Sequence, residues 1–333
     1  MRHFASFCDL HHTVDVNCSF YSLMHGLIEG MEKRLFLPTA LIISALALFM
    51  PSWFTWAKPS IVWLLGVIMF GMGLTLEVDD FKKVWANRRL VLTGVAVQYT
   101  VMPLLAIGIG LVLGLPQELI VGMVIVGACP GGTASNVIVY LAGANIALSV
   151  CMTLASTIVS PILTPLWVTT LVSETVDVNF WAMMKSVFWI VIFPLFDGIL
   201  LRKFLVGRVD PLLRIFPVVS MLAISFVIGI IVALNQTMLL TFPWLVMLAV
   251  ILHNLSGLTC GYVVAGFLNC SEQDRRTLAI EVGMQNSGLG VSLATTFFSG
   301  ATALPGAIFS LWHNLSGIGL AGYWNGSKEA TTD

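Results

Sequence analysis

Residues 281–290 read EVGMQNSGLG: an acid, an amide pair, a serine and three glycines inside an otherwise apolar run. A second interruption comes earlier, at residues 127–141, GACPGGTASNVIVYL, where Pro130, Gly131 and Gly132 sit amid apolar neighbours. Proline removes a backbone donor and glycine disfavours helix, so a regular helix is not expected at the earlier stretch. The runs around them are unbroken rather than alternating, as in LPTALIISALALFM (37–50) and FWIVIFPLFDGILL (188–201), and many approach the roughly 20 residues that cross a bilayer as helix. The chain has 333 residues, 58% hydrophobic and only 10% charged, with a mean hydropathy of +0.94. Soluble domains carry about 25% charged residues. The sequence therefore describes an integral membrane protein. Barrel strands would alternate, so the expectation is an all-α bundle.

Breaks at charged pairs, Pro and Gly divide the chain into ten apolar segments, at residues 37–56, 60–77, 90–113, 117–141, 146–172, 180–201, 211–234, 242–267, 274–299 and 303–325. Charge sidedness tests that division. In a ten-span topology Arg2, Lys33, Arg34, Lys82, Lys83, Arg88, Arg89, Arg202, Lys203, Arg208, Arg214, Arg275, Arg276 and Lys328 all fall on one side, against Lys58 and Lys185 on the other. Adding or removing a segment would scramble that asymmetry. The reading is a multi-pass protein of the inner (plasma) membrane with both termini cytoplasmic.

A shift of 155 residues lays Gln98 over His253, PQE (116–118) over SEQ (271–273) and ACPGG (128–132) over GMQNS (283–287). Identity is weak, but the layout recurs: a polar residue in the third span of each half, a short loop, then an interrupted span. Five spans per half is an odd number, so the second half enters from the opposite face. The expected domains are a first five-helix repeat at 35–173 and a second, inverted, at 174–327. Paired interruptions in inverted repeats mark the midplane site of secondary transporters.

Broken backbone at that depth is tolerated where it is buried in protein or lines a cavity, and its freed carbonyls and amides can hold ions. Hard cations take oxygen ligands. Thr133, Ser135 and Asn136 supply oxygens at the first interruption; Ser149 and Thr153, four apart on the next span, share a helical face. Of the acids, Asp197 and Glu281 lie well inside spans. A carboxylate at the bilayer centre must be paired, ligated or protonated. Asp197 lies close to Arg202 near the cytoplasmic end, which points to a structural role. Glu281 has no basic neighbour in sequence, so a bound cation is the economical partner.

Other classes fit less well. A net charge of −1, with no basic run longer than a pair, gives no reason to expect nucleic acid. Cys8, Cys18, Cys129, Cys151, Cys260 and Cys270 show no paired spacing, so neither a disulfide scaffold nor a structural metal is expected. No HExxH occurs, and of the histidines only His253 and His313 fall in spans, so an intramembrane enzyme is not expected. An ion channel does not require an inverted repeat with a single acid. A proton-coupled exchanger using Glu281 as its proton carrier stays open. Residues 1–34 read as a disordered tail without the apolar core or cleavage site of a signal peptide. CDLHH (8–12) belongs to that tail rather than to a metal site, Met31 is an alternative start, and 328–333 form a short C-terminal tail.

CPGGTASNV (129–137), ALSVCMT (147–153), SPILTP (160–165), EVGMQNSGL (281–289) and FSLWHN (309–314) together closely resemble the bile acid:sodium symporter family, bacterial branch. The resemblance covers residues 35–325. It implies a panel domain (spans 1, 2, 6 and 7) and a core domain (spans 3–5 and 8–10) in which spans 4 and 9 unwind and cross. It implies two sodium ions: the first at Ser135, Asn136, Ser149, Thr153 and Glu281; the second at Gln98, Glu281 and Gln285, with the carbonyls of Val282 and Met284. It places an organic anion, a bile acid or a small carboxylate such as pantoate or a 2-keto acid, near Thr133 and Asn286, with His313 and Asn314 also in reach. The partners implied are that anion and membrane lipid, with no obligate protein partner.

Overall fold

The computed structural model describes residues 38–76, 78–132, 134–172, 178–205, 210–241 and 243–329. The two expected tails fall largely outside these, as do Thr133, Cys8, Cys18 and CDLHH. Among the described residues the chain is helical, with one isolated β-bridge between Gly131 and Gln285. Five helices are long and apolar enough to cross a membrane: Lys58–Thr75, Arg88–Val112, Ile146–Val172, Phe180–Phe204 and Trp244–Phe267.

In chain order the helices are α1 (Pro38–Phe49), α2 (Ile61–Thr75), α3 (Val78–Ala86), α4 (Arg88–Val112), α5 (Gln117–Gly127), α6 (Ser135–Leu141), α7 (Ile146–Val172), α8 (Phe180–Phe204), α9 (Asp210–Leu234), α10 (Pro243–Phe267), α11 (Glu272–Gly283), α12 (Ser287–Phe297) and α13 (Leu304–Glu329). Single short turns at Ser52–Thr55 and Gln236–Thr241 join their neighbours. Both interrupted segments are pairs of helices: α5 and α6 flank residues 128–134, and α11 and α12 flank 284–286.

Prolines inside helices are accommodated locally. Pro161 in α7 releases the Thr157 carbonyl, which accepts from Ser160 Oγ at 2.7 Å. Just ahead of Pro194, α8 widens into a π-helical turn over Phe188–Ile192. The charged stretch after α2, read from sequence only as a loop, is the amphipathic helix α3. Lys82 pairs with Asp79 at 2.6 Å and Lys83 with Asp80 at 2.7 Å, and the acids stand in its first turn, where the helix dipole favours them. Arg202 does not turn back to Asp197, which is exposed. Its guanidinium instead donates to the Leu74 and Thr75 carbonyls at 3.0 and 2.6 Å, closing the C-terminal end of α2.

Packing sorts the elements around the interruptions. Helix α2 packs on α8 and α9, while α4, α5, α7, α10 and α11 pack on one another. Helices α10 and α11 also pack closely: a Cβ on Gly261 would fall 2.5 Å from the Leu278 carbonyl oxygen, and one on Gly257 would fall 3.1 Å from Gly283 Cα. Small residues four apart let helix backbones meet in this way, and GLTCG (257–261) is such a stretch.

Candidate functional site

The two breaks cross. Gly132 N–H donates to Met284 O at 2.9 Å and Asn286 N–H donates to Pro130 O at 2.8 Å, on either side of the Gly131–Gln285 bridge. Backbone groups orphaned by one break are thus satisfied by the other, which a buried irregular segment requires. The approach leaves no room for side chains. A Cβ at Gly132 would lie 2.8 Å from Gln285 O, and one at Gly131 would lie 3.1 Å from Glu281 Oε2.

Glu281, one turn before the second break, is fully buried among hydroxyls. Its Oε1 lies 2.5 Å from Ser135 Oγ and 2.5 Å from Ser149 Oγ, and its Oε2 lies 2.8 Å from Thr153 Oγ1. Asn136 Oδ1 joins the cluster 2.8 Å from Ser149 Oγ. The structure brings together Ser135, Asn136, Ser149, Thr153 and Glu281, from α6, α7 and α11. Among the described residues no ion pair reaches Glu281, and no group of three or more His, Cys, Asp or Glu side chains gathers anywhere.

Protons are scarce in this cluster. Each hydroxyl has one proton to donate. Ser135 Oγ also lies 2.6 Å from Gly132 O, and Ser149 Oγ is shared between Glu281 and Asn136. Once both serines donate to Glu281, the Ser135–Gly132 approach sets oxygen against oxygen with no proton between them. The Ser149–Asn136 approach does the same unless the Asn136 amide is turned to donate. A positive centre among these oxygens, or a proton on the carboxyl, removes the conflict.

Beside Glu281, Gln98 Nε2 lies 3.3 Å from Gln285 Oε1 and 3.4 Å from Cys129 O, and Gln285 Nε2 donates to Val282 O at 3.1 Å. Gln98 Oε1 is buried without a hydrogen-bond partner. Met284 O already accepts from Gly132 and keeps its second lone pair.

A cavity of about 380 Å³ adjoins the crossing. Leu65, Ile68 and Met69 of α2 and Phe216 and Ile224 of α9 give it an apolar wall, opposite Asn136, Asn286, Ser287, Ser310, His313 and Asn314. No Lys or Arg lines it among the described residues. Asn286 divides its amide. Oδ1 accepts from Leu289 N at 3.1 Å and caps α12, while Nδ2 meets the Met69 sulfur at 4.0 Å, too weak an acceptor to satisfy it.

Among the polar residues that escaped the sequence reading are Ser156 and Asn254. Ser156 Oγ accepts from Gly131 N at 3.2 Å, bracing the first break from α7. Its spacing, three beyond Thr153 and seven beyond Ser149, puts it on the same helical face, so helical periodicity could have found it. Asn254 donates to Gly283 O at 2.9 Å, and no pattern around it marks that role.

A family model described as the sodium bile acid symporter family matches residues 62–242. The chain is 44% identical over 285 residues to an uncharacterized sodium-dependent transporter of Bacillus subtilis, covering 86% of this chain and 89% of that protein. It is 37% identical over 286 residues to a probable chloroplastic sodium/metabolite cotransporter of Arabidopsis thaliana, covering 85% and 71%. A rice protein of the same description matches at 37% over 283 residues, covering 84% and 70%.

Proposed function

The chain belongs to the sodium bile acid symporter family, and from that premise we propose that it is a sodium-coupled symporter carrying an organic anion across the plasma membrane through two ion sites that share Glu281. It is a membrane transporter rather than an enzyme, as its family and relatives are.

The observation that carries the reading is the set of four oxygen-bearing side chains gathered around the fully buried Glu281, in a chain whose family is sodium-coupled. A sodium ion held by Ser135, Asn136, Ser149, Thr153 and Glu281 replaces the missing protons with one positive charge and balances the buried carboxylate. Neutral hydroxyl and amide oxygens around one carboxylate suit a hard monovalent cation. A second sodium beside Gln98, Glu281 and Gln285, with the Val282 and Met284 carbonyls, gives the buried Gln98 Oε1 its partner. The anion occupies the adjoining cavity, its carboxylate near Asn286 Nδ2, His313 and Asn314 and its apolar body against α2 and α9. Thr133, which the resemblance also places near the anion, lies outside the described residues. With no cationic side chain lining the cavity among the described residues, the sodium ions also supply the positive field that draws the anion in, which couples the two bindings.

The architecture that serves this reading has ten spans, with 35–173 and 174–327 as inverted repeats. Helices α1, α2, α8 and α9 form the panel, and the crossing helices stand in the core. The packing of α2 on α8 and α9, apart from the α4–α5 and α10–α11 pairs, supports that division. The cavity reaches Thr75 and Leu141, at helix ends that charge sidedness places toward the cytoplasm, consistent with an inward-facing state.

The test is sodium binding by purified protein in detergent, with potassium as control. The parent protein responds to sodium and Glu281→Gln does not. A proton-coupled exchanger gives instead a parent indifferent to sodium.

A further inference from the structure

Helix α11 ends inside the membrane, where its last carbonyls have no partner within the helix and no water to turn to. The carbonyls of Ile280, Val282 and Gly283 in its final turn, and of Met284 just beyond, have specific donors. Ile280 O accepts from Met284 N at 2.9 Å, Val282 O from the Gln285 side chain at 3.1 Å, and Met284 O from Gly132 N at 2.9 Å. Gly283 O, between two carbonyls assigned to the second ion site, accepts from Asn254 Nδ2 at 2.9 Å.

Asn254 lies on α10, one turn before Gly257, and is fully buried. The tight α10–α11 approach at Gly257 and Gly283 brings its side chain onto that carbonyl, since a Cβ on Gly283 would meet Leu258 N at 2.9 Å. The other end of the amide is also held. Ser316 Oγ of α13 donates to Asn254 Oδ1 at 2.6 Å. Ser316 follows His313 and Asn314 by less than a turn, and those two line the cavity. Ser316 Oγ also lies 3.2 Å from His313 O, so hydrogen bonds through Ser316 and Asn254 join the cavity-lining helix to Gly283, whose chain neighbours are Val282 and Met284. Ser316 satisfies the buried Asn254 oxygen and in doing so fixes the orientation of the amide that donates to Gly283 O.

We propose that Asn254, oriented by Ser316, is a positioning residue that aims the Val282 and Met284 carbonyls at the second ion site and ties their geometry to the cavity wall. This rests on the sodium reading of that site. Ser316→Ala cuts the path while leaving Gly283 O its donor; Asn254→Leu removes the donor at similar volume.

The measurement is the sodium titration of thermal unfolding for full-length protein in detergent, at constant ionic strength balanced with potassium. The parent gives sodium-specific stabilisation with a Hill coefficient above one. Losing a buried hydrogen bond at the site raises half-saturation for sodium by about tenfold in Asn254→Leu, and by about threefold in Ser316→Ala. The Hill coefficient falls toward one in both, because the first site does not touch Gly283. The melting temperature of Ser316→Ala in potassium alone falls modestly, because the buried Asn254 Oδ1 loses its donor, so the sodium titration and not the melting temperature is the readout. If Asn254→Leu does not fold, Ser316→Ala carries the test. Sodium curves matching the parent in Ser316→Ala and in any folded Asn254→Leu, even with a lowered melting temperature, reduce Asn254 to a structural donor and overturn the inference. A parent protein with no sodium response overturns the ion reading itself, and this inference with it.

Discussion

Glu281 is the fully buried acid among the described residues, and its surroundings fix what each substitution should do. Glu281→Gln keeps the shape but removes the charge shared by both proposed sites, and should weaken sodium binding on the order of a hundredfold while the protein still folds. Ser149→Ala removes one oxygen and relieves one crowded approach, so about a tenfold loss is expected in the same titration. Asn286 separates two roles within one amide. Asn286→Ala loses both the α12 cap and the Nδ2 donor, lowering stability by about 1 kcal/mol and raising the half-saturation for the carried anion. Asn286→Asp keeps the cap but sets a negative charge on the cavity, so it should hold the melting temperature and still lose anion uptake; unchanged uptake would move the anion away from the crossing. The cluster around Glu281 was legible in part, because a lone carboxylate in an apolar run stands out, as do hydroxyls four apart on the next helix. Asn254 was not, because one amide in an apolar helix has no periodicity to betray it.

The breaks themselves were equally legible, since Pro and Gly in mid-span disfavour helix whatever surrounds them. How they pair was not. The 155-residue shift lays Pro130 over Gln285 and Gly131 over Asn286, as a repeat must, whereas the crossing is antiparallel and joins Pro130 to Asn286, Gly131 to Gln285 and Gly132 to Met284. Sequence likeness relates the two segments as copies and says nothing of how the copies meet. Helix α3 escaped notice for a related reason: Asp79–Lys82 and Asp80–Lys83 stabilise it through pairs three apart, in a stretch whose charges read as a loop between spans. Gly132→Ala tests the crossing directly. Its Cβ would fall 2.8 Å from Gln285 O, with backbone that cannot yield cheaply, so a loss of about 1–3 kcal/mol is expected from thermal unfolding, with both ion sites weakened together. A Gly132→Ala protein with parental stability and sodium response would show that the breaks do not need this approach.

For the molecule as a whole, the proposed pair of ion sites sharing one carboxylate would make transport of the anion conditional on sodium. A tenfold sodium gradient is worth about 1.4 kcal/mol per ion, and one net charge moving through 100 mV about 2.3 kcal/mol. Two sodium ions carrying one monovalent anion therefore supply roughly 5 kcal/mol, enough for accumulation of about several thousandfold. The cavity, apolar along α2 and α9 and polar along α6, α12 and α13, suits a carboxylate with an apolar body but does not choose among such anions. The most direct measurement is uptake by proteoliposomes of labelled cholate, pantoate and pyruvate under imposed ion gradients. The account predicts that at least one is concentrated under an inward sodium gradient, that an inside-negative potential increases its uptake, and that Glu281→Gln abolishes it. Concentration driven by a proton gradient in sodium-free medium would contradict it.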